Sequence, residues 1–159
     1  MIALAVLLSV QVADAQTKSP DAAKKAVAAA DAAAENPKKA AKVATWVKLA
    51  SSYMDAYNAP AGSAWVGASK QELQLLMGGQ QPLAVENVEV GGEALVKETY
   101  ADKDFYFNGA GQLVLIDVTK PVIENALAKA IDAYKKAYEV DVKKSKIKDI
   151  TGGLESVAR

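Results

Sequence analysis

The segment "TWVKLASSYMDAY", Thr45 to Tyr57, sets Trp46, Val47, Ala50, Tyr53, Met54 and Tyr57 at intervals of three and four, the spacing of one face of an α-helix. Val43 continues that face upstream, so the pattern predicts a helix over about 38–58. "NAPAG" ends it, because neither Pro60 nor Gly62 continues a helix. A matching segment, "ALAKAIDAYKKAYEVD", begins only at Ala126. There Ile123, Leu127, Ala130, Ile131, Tyr134 and Tyr138 mark one face of a second helix, read from Pro121 to about Val140. Both helices set small residues beside aromatics, a combination that lets two helices approach closely. The fold turns on what residues 60–120 do between them.

That interval changes period. Ser69-Lys70-Gln71-Glu72 is a capping box opening a short helix through Met77, closed by Gly78-Gly79. "PLAVENVEV" and "EALVKETYA" flank Gly91-Gly92, and "DFYFN" and "QLVLIDV" flank Asn108-Gly109-Ala110-Gly111. Two hairpins in one small antiparallel sheet follow. Leu113, Val114, Leu115 and Ile116 are all apolar, which predicts a last strand covered on both faces and a sheet packed against the helices.

Outside this centre, "SPDAAKKAVAAADAAAENP" reads as an alanine-rich helix capped at Asp21 and stopped by Asn36-Pro37, with Val27 its one large apolar residue. "KIKDITGGLESVAR" starts another helical pattern at about Ile147, weakened by Gly152-Gly153. Residues 1–15 form an apolar run ending in Ala13-Asp14-Ala15, a small-x-small cleavage pattern that would leave Gln16 as the new N-terminus. A basic segment before the run is missing. The run is too short for a membrane span, so the expectation is a signal peptide over 1–15 and export to the periplasm or cell envelope. Residues 16–159 would then form one domain with an insertion at about 60–120.

Composition removes several function classes. Nineteen basic and nineteen acidic residues leave no net charge, hence no field to hold a phosphate backbone, and nucleic acid is not expected as a partner. Cys and His are absent, which takes away thiol and imidazole nucleophiles, the usual general base and the common zinc ligands. No cofactor is implied. The glycine pairs and "NGAG" lack the Lys-Ser/Thr of a phosphate loop, and Asp102, Asp104 and Asn108 lack the spacing and terminal Glu of a calcium loop.

Trp46, Leu49, Ala50 and Tyr53 resemble the W-x2-L-G-x2-Y pattern of the first helix of a tetratricopeptide repeat, with Ala in place of Gly. Ala130, Tyr134 and Ala137 resemble the small-aromatic-small set of its second helix, with Tyr in place of Phe. The resemblance covers the helical half of the chain and implies α+β architecture: antiparallel tetratricopeptide-like helices with an inserted two-hairpin sheet. It also implies a non-enzymatic, exported scaffold that binds a protein or peptide. An unrelated α+β domain, whose helices cover the sheet, fits the same residues.

Tyr57, Trp65 and Tyr106 are the partner-binding candidates. Phe105, Tyr106 and Phe107 are consecutive, so Tyr106 faces away from its neighbours in a strand; Trp65 sits in a loop, either docked or open to a partner. Glu98, Asp102, Asp104 and Asp117 are the carboxylates around the second hairpin. They carry the alternative of an envelope polysaccharide hydrolase, and an apolar pocket between sheet and helices would make a small-ligand carrier.

Overall fold

The structure, a computed structural model, describes residues 17–158; the expected signal peptide lies outside the described residues. The fold is α+β, in the order α1 (Pro20–Glu35), α2 (Pro37–Ala40), α3 (Val43–Asn58), α4 (Lys70–Leu76), β1 (Ala84–Val90), β2 (Glu93–Thr99), β3 (Lys103–Phe107), β4 (Leu113–Val118), α5 (Ala126–Val140) and α6 (Ile147–Val157).

The segment from Thr45 to Tyr57 lies within α3, the centre of the helical half. α3 packs on α1, α5 and α6, and α5 also packs on α6. Leu49, Ala50, Tyr53, Ala130, Tyr134 and Ala137 are all buried in this core with Trp46 half-buried against it. Alanines make up much of the interface, so backbones come close and little large apolar bulk is needed. The Tyr53 hydroxyl donates to Asp31 Oδ1 at 2.8 Å, tying α3 to α1. Trp46 Nε1 donates to the Ala40 carbonyl at 2.8 Å, which pins the short α2.

Boundaries depart from expectation for local reasons. Ser19, not Asp21, caps α1: its hydroxyl accepts from Ala22 N–H and Pro20 fills the first helical position. The helix expected from residue 38 is broken at Ala41–Lys42, because Asn36 starts the separate turn α2 by accepting from Lys38 and Lys39 N–H. α5 starts at Ala126 and not at Pro121. Val122 and Ile123 first seat on the helical core, and Asn125, at φ 55°, turns the chain into the helix. The α5 face is rotated as well: Ala133 and Ala137 are buried while Tyr138 is exposed.

α6 runs through Gly152-Gly153 unbroken. Gly153 is where the Tyr134 ring of α5 lies, and a Cβ there would overlap it.

The four strands form one antiparallel sheet in the order β1-β2-β3-β4. Gly91 and Gly92 both take positive φ, as a two-residue type I′ hairpin requires. The sheet does not pack against the helical core as expected. It has its own core, in which Phe105, Phe107, Leu113 and Tyr100 bury against Ala68 and against Leu73 of α4. The capping box at Ser69 and Glu72 forms as read, each side chain bonding the other's backbone N–H. With α4 covering one face, the other stays partly open: Leu115 is 43% exposed, so β4 is not covered on both faces.

Candidate functional site

The last turn of α3 carries Tyr57 outward while Ala59 and Pro60 behind it are buried. Opposite, the chain leaves β4 at Val118, passes Pro121 and Ile123, and enters α5 after Asn125, whose carbonyl accepts from Lys129 N–H at 3.0 Å. These segments enclose a cleft of about 400 Å³ lined by Tyr57, Val118, Pro121, Ile123, Asn125 and Leu127. Among the described residues, no charged side chain lines it. The Tyr57 hydroxyl and the Asn125 amide are polar groups in an otherwise apolar wall, a composition that takes an apolar side chain and fixes its orientation with one or two hydrogen bonds. Tyr57 is 48% exposed, so its ring is open to a ligand.

The other two aromatic candidates lie elsewhere. Trp65 is also 48% exposed, in a loop held by backbone bonds: its carbonyl accepts from Ala68 N–H, Gly67 N–H donates to the Leu113 carbonyl at 2.7 Å, and Leu113 N–H donates to the Ala68 carbonyl at 2.8 Å. The loop is fixed while half the indole stays in solvent. Tyr106 faces away from the buried Phe105 and Phe107 as read, half-buried on the open face of the sheet between Lys97 on β2 and Leu115 on β4.

A second groove, about 350 Å³, runs between α3 and α5, with Trp46, Leu49, Tyr53, Lys129, Asp132 and Lys136 along it. The Lys129 ammonium stands 5.8 Å from the Tyr53 ring centroid. Burial, then the hydrogen bond to Asp31 and its charge, push the Tyr53 hydroxyl up to about 12. Tyr53 is therefore neutral and structural.

Two of the four carboxylates around the second hairpin, Asp104 and Asp117, are brought opposite one another, and Glu98 and Asp102 lie apart from them. Glu98 shares α4's face of the sheet, where Lys70 reaches Oε1 at 2.8 Å and the Tyr100 hydroxyl donates to Oε2 at 3.0 Å. Asp104 and Asp117 are directly opposed on the other face, and Asp104 Oδ2 pairs with Lys97 at 3.2 Å. Asp102, in the turn before β3, pairs with Lys103 at 3.0 Å. Among the described residues, no group of three or more carboxylates is placed to hold a metal ion, and no helix is long and apolar enough to cross a membrane.

Sequence reasoning singled out Tyr57 as a candidate but did not place the other residues of its cleft. Ile123 and Leu127 read as the interior face of a helix, and only the turn at Asn125 brings them beside Tyr57. Set against known proteins, the chain has no counterpart that bears on this cleft: no protein family, no curated protein and no solved structure matches it.

Proposed function

We propose that this is a non-enzymatic interaction protein, exported to the cell envelope, whose tetratricopeptide-like helices present the Tyr57 cleft to a protein or peptide with an exposed apolar anchor. The observation that carries the reading is the cleft itself: about 400 Å³, free of charged side chains among the described residues, and bordered by a half-exposed tyrosine. That volume suits one or two large apolar side chains. The helical arrangement supports the repeat likeness, since α6 packs on both α3 and α5, as the first helix of a following repeat does in such arrays.

The test is selection of ligands from a random peptide display library on the intact protein. Apolar-anchored peptides should emerge, and Tyr57→Ala should weaken them by about tenfold or more, the loss expected of an aromatic at the centre of a small interface. Tyr138→Ala, on an exposed position of α5, should leave binding unchanged. Peptides indifferent to Tyr57 would remove the cleft from the proposal.

A further inference from the structure

β1 stands at one end of the sheet, and among the described residues no segment pairs with its outer edge. Six of its seven residues are exposed; only Val88 is half-buried. The opposite edge is treated differently, since the Gly67-Ala68 loop bonds the Leu113 end of β4. β1 carries two exposed glutamates, Glu86 and Glu89, but of the other devices that blunt an edge it has neither Pro, Lys nor a bulge.

Its hydrogen-bonding parity follows from the hairpin. In a two-residue type I′ turn, Val90 and Glu93 form a hydrogen-bonded pair. Alternation along the register then turns the backbone groups of Ala84, Glu86, Val88 and Val90 toward β2, and those of Val85, Asn87 and Glu89 outward. The outward set is symmetric about Asn87. A second β1, antiparallel and centred there, sets Val85 against Glu89, Asn87 against Asn87 and Glu89 against Val85, all hydrogen-bonded. Between them Glu86 meets Val88, and Ala84 meets Val90. All seven residues pair, and no glutamate faces a glutamate; centring on Glu86 would put the two Glu86 side chains opposite one another.

We infer that β1 is a self-association edge: two copies of this chain join through antiparallel β1–β1 pairing about a twofold axis at Asn87, making one continuous eight-stranded sheet. The interface is isologous, each outward donor meeting an outward acceptor of the second copy. It leaves the Tyr57 cleft free and does not depend on the function proposed for it.

Sedimentation equilibrium on the intact protein provides the test. The chain should dimerise as concentration rises toward ~100 μM, an affinity expected of a small edge-to-edge contact. Asn87→Pro removes one outward N–H and no bond to β2, so it should abolish the dimer while circular dichroism stays native. Asn87→Asp and Asn87→Lys each place like charges opposite at the axis and should weaken dimerisation about two- to fivefold, whereas an equimolar mixture of the two should restore it. Three results would overturn the inference: a wild-type chain monomeric throughout, a dimer untouched by Asn87→Pro, or an Asp/Lys mixture no tighter than either variant alone. Because residue 87 is exposed, the Asp and Lys variants decide the matter even if the proline variant misfolds.

Discussion

Gly152 and Gly153 are adjacent in one helix and do opposite things. Nothing lies within 4 Å of a Cβ built at Gly152, whereas at Gly153 the Tyr134 ring occupies that space. Gly152→Ala should therefore stabilise by roughly 0.5–1 kcal/mol through helix propensity alone. Gly153→Ala should destabilise by about 1–3 kcal/mol, because the overlap outweighs the same propensity gain; urea denaturation of the two variants checks both signs. The sequence marks both glycines only as helix-weakening, since the reason for one of them sits on another helix. That Trp46, Leu49, Ala50 and Tyr53 share the packed face of α3 was readable, by contrast, because each is set by spacing within its own helix. Tyr53 adds a pH dependence. Its hydroxyl is raised in the folded state, so the unfolded chain ionises first; this stability is complete below pH ~10 and is lost as pH rises through about 12. Burial, with Glu98 beside Tyr100 and Asp55 near Tyr134, shifts those two hydroxyls in the same direction. Tyr53→Phe should shrink the alkaline loss without removing it, as followed by melting temperature across that range.

At the scale of elements, the joint between α5 and α6 is organised by one buried carboxylate. Asp141 Oδ1 accepts from Ser145 N–H at 2.8 Å and from its hydroxyl at 3.0 Å, and Oδ2 accepts from Lys146 N–H at 2.8 Å. Burial alone would raise this carboxyl, but these bonds and the Lys146 charge outweigh it and hold it below the usual aspartate range. Its stabilisation is thus present above the ordinary aspartate pKa of about 4 and is lost as pH falls through the lower folded value. Asp141→Asn should flatten the acid limb of a melting-temperature profile; an acid limb identical to wild type would show that the joint is held some other way. Helices and strands themselves were legible from period, caps and glycine turns, down to the capping box of α4. Starts governed by tertiary contact were not. The Pro121 reading failed because Val122 and Ile123 are claimed by the helical core before α5 begins, and the same displacement concealed most of the Tyr57 cleft.

At the scale of the molecule, the described residues form two apolar cores, one among the helices and one between α4 and the sheet. That a sheet-bearing segment lies between the two helices was readable from the change of period, but its separate core was not, because the apolar run of β4 implied a cover on both faces. Tyr57 and Ala126 line one cleft, so α3 and α5 meet where the sheet-bearing segment leaves and returns. Replacing residues 61–120 by a short glycine linker should therefore leave a folded helical bundle, with the amide exchange protection of α1, α3 and α5 retained. Loss of that protection would mean the sheet supports the helices after all. Phe105→Ala, at a fully buried site, should cost the sheet about 3–5 kcal/mol and speed amide exchange there with little effect on the bundle. The separate core also bears on the order in which the chain folds. α3 cannot meet α5 until the ends of a long excursion come together, and the entropy of that closure grows with the length of loose chain. If the sheet and α4 condense first, that chain is already drawn in, and the search between the two helices becomes nearly local. A variant such as Phe105→Ala would then slow the docking of α5 onto α3 even where the finished bundle is no less stable.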